Sequence, residues 1–155
     1  MKFPIANHKL WKGQSLFEVV VAVAVSALMI TAIVAIATNS IQNSSFSRDK
    51  TLASNHVQEV HEWLRQERDN NSAAFIANTA IPTWCFRALS WSAPTIQRAC
   101  YETDYIDGTK FTRQSTFSIS LVGGKNVVRV DTTVSWTDAK GTHKINGITD
   151  LSASQ

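Results

Sequence analysis

The chain of 155 residues has few of the residues that punctuate or staple a fold: three Pro, six Gly and two Cys. Cys85 and Cys100 form no C-x-x-C pair and have no neighbouring His, so neither a zinc site nor a thioredoxin-like redox motif is supported. The sequence holds no P-loop, no G-x-G-x-x-G and no Ser in a G-x-S-x-G turn, the patterns that cradle phosphates or expose a nucleophile. No catalytic set emerges, and nothing calls for a cofactor. Charge is missing where its absence counts most. Residues 19–37, VVVAVAVSALMITAIVAIA, are 19 positions without a charged residue, Pro or Gly. At about 1.5 Å per residue they span roughly the hydrocarbon core of a bilayer, which argues against a freely soluble enzyme.

Acidic residues are absent from the first 13 positions, where Lys2, Lys9 and Lys12 supply three of the 15 basic residues; residues 14–155 therefore hold 12 of each sign. The net charge of +3 and the pI of about 9.0 come from this short segment rather than from a basic face. Positive residues flanking a first apolar helix stay on the cytoplasmic side, so the charge balance is an orientation signal. Composition gives no support for nucleic acid as a partner, although it does not forbid one.

A secretory signal has an apolar core of about 7 to 15 residues followed by a small-residue cleavage site. Here the polar stretch WKGQS precedes the apolar run, and the run is long enough to stay as an anchor. From Gly13 the chain reads GQSLFEVVVAVAVSALMI, which sets a lone acid, Glu18, at the start of the apolar helix. These residues resemble the class III leader of type IV pilins and pseudopilins, cut after a Gly by a membrane peptidase that methylates the new amino terminus. The resemblance implies cleavage after Gly13, methylation at Gln14, and a role for Glu18 in assembly. An acid entering lipid unpaired costs a few kcal/mol, and the ammonium of Gln14 in a neighbouring subunit is the natural partner for it. Two positions depart from the family pattern: Gln14 stands where well-known pilins have Phe or Met, and Ala35 lies near where many major pilins carry a helix-breaking Pro.

Residues 38–69 are polar yet free of Gly and Pro, so nothing stops the helix at the membrane surface. Ala53, Val57, Val60 and Leu64 recur at helical spacing, with Phe46 and Trp63 near the same stripe. Residues 14 to about 69 are expected to form one helix. From Asn70 the composition shifts to Thr, Ser, Val and aromatics. Phe117, Ile119 and Leu121 alternate with polar residues up to Gly123-Gly124, and Val128, Val130, Thr132, Val134 and Trp136 alternate after it, a hairpin signal with a type I′ turn. Asp138 to Gly141 makes a second turn, and His143, Ile145 and Ile148 continue as a further strand. The expected fold is α+β: a long N-terminal helix, with a transmembrane half and an amphipathic half, packed on an antiparallel sheet of three to four strands. Its divisions are a leader over 1–13, a transmembrane or assembly helix over 14–37, an amphipathic stem over 38–69, and a β-rich head over 70–155.

With the leader sending the rest of the chain out of the cytoplasm, Cys85 and Cys100 are expected to form a disulfide in preference to two free thiols. His56 and His61 lie about 140° apart around the stem, unsuited to one metal, and read as solvated residues. Glu102, Asp104 and Asp107, ending in Gly108, lack a recognisable calcium-ligand pattern and read as a solvated turn. Trp84 and Trp91, with Arg87 and Arg98 nearby, hold the ingredients of an aromatic and basic patch for DNA or a glycan. Packing around the disulfide is the simpler account.

These readings converge on an expectation of a non-enzymatic minor pilin-like subunit. Short strands ending in WTDAKG, within VRVDTTVSWTDAKGTHKINGITDLS, are similar to minor pilins of the pilus-modification family and to the I-type minor pseudopilin of type II secretion. The resemblance implies as partners a prepilin peptidase, other pilins or pseudopilins through the N-terminal helix, an inner-membrane assembly platform, and membrane lipid before assembly. It places the chain in the cytoplasmic membrane with its head outside, then in a cell-surface or periplasmic filament. Alternatives are a pseudopilin of a secretion or competence apparatus, and a single-pass anchored binding module that keeps its first 13 residues.

Overall fold

The computed structural model describes residues 16–152. Helix α1 runs Leu16–Asn70, unbroken because no Gly or Pro interrupts its sequence. It contributes to two compact units, one ending at Ser45 and the other beginning at Phe46. In the first unit every described residue is solvent-exposed, including the whole uncharged run. The hydroxyls within this run and just after it are satisfied locally: Ser26 donates to the Ala22 carbonyl at 2.7 Å, Thr31 to Leu28 at 2.9 Å, and Thr38, which follows the run, to Val34 at 2.8 Å. Such back-bonding leaves the uncharged run without an unmet hydroxyl donor, as an apolar surrounding requires.

In the second unit, α1 ends where the chain reads DNNS. Asn71 caps a short second helix, α2 (Ser72–Thr79), its side chain accepting from the Ala74 amide at 3.0 Å. Pro82 follows shortly after, and the chain becomes extended. Four strands follow: β1 (Thr83–Cys85), β2 (Thr112–Val122), β3 (Lys125–Asp138) and β4 (Gly141–Ser152). They pair antiparallel in the order β1-β2-β3-β4, a simple meander. This is the expected α+β fold with four strands. The β2–β3 turn is the Gly123-Gly124 pair, at φ 59° and 77°, the left-handed values that make glycine the favoured residue here.

The stem half of α1 covers one face of the sheet. Ala53, Val57, Val60 and Leu64 are all buried, as are Val128, Val130, Val134 and Trp136, so the two stripes read from the sequence do meet. The apolar core has two parts. One gathers Val60, Leu64, Phe75, Trp84, Phe86, Phe117, Val128, Val130 and Leu151; the other gathers Ala53, Val57, Ile106, Phe111, Val134 and Trp136. Register places a polar row between them, because Ser115 pairs with Thr132, and Thr132 with Gly147. The alternation of β2 carries its inward face only as far as Phe117. Ile119 and Leu121, expected on the same face, are 42% and 72% exposed. The β2–β3 hairpin extends past the residues that cover its lower half.

Candidate functional sites on the helix and the head

Gly13 and Gln14, the expected cleavage and methylation positions, lie outside the described residues. Glu18 falls in the first turn of α1 and is exposed. A helix start favours negative charge, since its free amide groups form the positive end of the helix dipole. No described residue forms an ion pair with it. Behind Glu18 the uncharged run is long and apolar enough to cross a membrane, a candidate single span. Glu18 is thus the only charged residue among the described residues before Arg48.

In the head, Cys85 and Cys100 are joined in a disulfide, with Cα atoms 4.9 Å apart. Cys85 pairs with Gln114 in the β1–β2 register, and the Gln114 side chain accepts from the Cys100 amide at 3.1 Å. The segment after Cys100 is therefore tied to the sheet edge twice.

Trp84 and Trp91 do not form an exposed patch. Trp84 is 1% exposed and donates its indole N–H to the Asn78 carbonyl at 3.1 Å. Trp91 donates to Glu67 at 2.9 Å and lies with ring centroids 5.0 Å from Trp63, 5.1 Å from Trp84 and 5.6 Å from Phe86. These are edge and tilted contacts of an aromatic core. Arg87 and Arg98 are committed elsewhere. Arg98 bonds Asp104 at 2.7 Å and lies over the Tyr101 ring at 3.9 Å, while Arg87 reaches Asp107 at 3.6 Å.

The same pairs divide the acidic group. Asp104 is buried rather than solvated; the Arg98 hydrogen bond and the Tyr101 amide, donating at 2.8 Å, hold its carboxyl below the usual aspartate range. Among the described residues no group of three His, Cys, Asp or Glu side chains is placed to hold a metal.

The expectation for His61 is corrected. It is buried between helix and sheet, its Nε2 3.1 Å from the Thr132 hydroxyl, which in turn lies 2.8 Å from that of Ser115. Burial, then the nearby Arg65 charge, lowers its pKa, against smaller opposing effects of Glu62 and Asp131. His56 stays at the rim and bonds Glu59 at 3.1 Å.

Sequence reasoning missed Arg113. It is 1% exposed on the helix-facing side of β2, and it donates to Glu59 at 2.9 Å and to the His56 carbonyl at 3.3 Å. Its Nε has no partner. Burial lowers its pKa and Glu59 opposes that; a guanidinium nonetheless stays charged at any ordinary pH. For Glu59, burial raises the pKa, but the His56 hydrogen bond and the Arg113 charge outweigh it, and the net shift is downward. Gly147 was also missed. A Cβ built there would overlap Val57 Cγ1 and come within 3.3 Å of His61 Cε1, so the helix sits directly on its backbone. An isolated Gly inside a strand is the available signal for such an approach.

No protein family, curated protein or solved structure matches the chain.

Proposed function

We propose that this chain is a structural minor pilin-like subunit, processed after Gly13 and built into a filament through its N-terminal helix. The observation that carries the reading is Glu18 at the first turn of α1, at the head of an exposed apolar run that holds no other charge. Such a surface needs lipid or other helices around it, and a lone acid at its edge needs a cation. In a stack of parallel helices the amino group of Gln14 in a neighbour supplies that cation, and the low dielectric strengthens the pair while the bundle replaces lipid contacts. Glu18 would then set the axial register. In this reading a prepilin peptidase cuts and methylates the chain, lipid holds it with the head outside the cytoplasm, and an assembly platform extracts it. The head provides surface, not catalysis.

The test is the intact mass of the protein extracted from its native membrane, followed by a filament-incorporation assay. A mass for residues 14–155 plus one methyl group, and loss of incorporation for Glu18→Ala, are expected. Retention of residues 1–13, or normal incorporation of Glu18→Ala, would overturn the reading.

A further inference from the structure

We infer that the head carries a saccharide-binding groove on the sheet face turned away from α1. Two adjoining recesses of about 240 and 330 Å³ open there and share Glu102, Thr112 and Ser135 in their walls. Their size suits a short carbohydrate better than a large ligand.

Three features of the walls point to this chemistry. First, Glu102 and Lys144 both line the larger recess, and neither has an ion-pair or hydrogen-bond partner among the described residues, although most other charges of the head are paired. A carboxylate that only accepts and an ammonium that only donates are complementary to sugar hydroxyls, each of which does both. Second, the floor is neutral and hydroxyl-rich: Thr112 and Ser135 lie 2.7 Å apart, and Thr137 and Thr142 lie 3.1 Å apart. Third, Tyr101 and Tyr105 flank the recesses at 66% and 44% exposure, offering aromatic faces to the C–H side of a sugar ring. Arg98 lies over the Tyr101 ring.

The groove is pre-shaped. The disulfide and the Gln114 hydrogen bond fix the segment bearing Tyr101 and Glu102 against the sheet. The loose ends at Glu102 and Lys144 favour a neutral sugar, whose hydroxyls satisfy both at once.

The experiment is saturation-transfer NMR on the full chain in lipid nanodiscs, prepared without sugar-headed detergent. The probes are lactose and the N-acetylglucosamine disaccharide at millimolar concentration, with triglycine as the zwitterionic peptide control. Transfer to at least one disaccharide and none to triglycine is expected. Glu102→Gln, Lys144→Met and Tyr105→Ala should each weaken binding about tenfold, since each removes one charged or stacking contact. Arg129→Met, on the same sheet face but outside both recesses, should leave it unchanged. Silence from both disaccharides, transfer to triglycine instead, or wild-type affinity in all three groove variants with unaltered thermal midpoints would overturn the assignment.

Discussion

His61 Nε2 of α1 lies 3.1 Å from Thr132 Oγ1 of β3, linking helix and sheet in the middle of the apolar core. The buried imidazole is favoured neutral, so its folded-state pKa is below that of the unfolded chain. Between those two values the unfolded state binds more protons, and stability rises with pH. The His61 contribution is therefore fully present above about pH 6.5 and is lost as the pH falls through the lowered value. Urea unfolding followed by Trp fluorescence should show a midpoint that drops from pH 7 to pH 5, with a shallower drop in His61→Gln. An equal slope in both proteins would contradict the prediction.

Gly147→Val should destabilise the head by about 1 to 3 kcal/mol, the usual cost of overpacking a close-fitting site. Its φ is not positive, so the cost is steric, set by Val57 Cγ1. Val57→Ala in the same chain makes room and should restore part of the loss. Thermal midpoints of the four proteins in a double-mutant cycle measure that coupling.

Replacing Cys85 and Cys100 with Ser should lower stability by about 3 kcal/mol, the chain-entropy value for a loop of this length. The cross-link closes a separation of 15 residues. The denaturant midpoint should fall with little change in cooperativity, and dithiothreitol should reproduce the effect on the wild-type chain.

Glu59→Gln leaves the buried Arg113 guanidinium without its counter-charge, which should cost about 1 to 3 kcal/mol, less than the usual cost of breaking a fully buried pair because Glu59 is half exposed. Arg113→Met combined with Glu59→Gln should be more stable than Glu59→Gln alone, since an apolar side chain in that place needs no partner. Chemical denaturation of the single and double variants decides the order.

The helix, the hairpin turn and the covering stripe were legible because each rests on a local rule: no breaker from residue 14 to 69, two glycines between alternating runs, and apolar residues at helical spacing. Arg113 and Ser115 were not legible. They occupy the inward face of β2, where alternation predicts apolar residues, and only their partners across 54 and 17 positions make them tolerable there. Helix α2 was hidden for a similar reason, since DNNS reads as a break and the capping role of Asn71 depends on the helix that follows. The groove joins residues of three separate segments, around 101–112, 133–137 and 142–144, and no spacing along the chain announces it.

Leu151 and Gly147, near the far end of the chain, complete a core begun by Val57, Val60 and Leu64. A nascent polypeptide halted before that last strand would expose both the stem's apolar stripe and one side of an unfinished sheet. Closure of the head must therefore wait until β4 has been made, which leaves the partly made sheet open on that side until then.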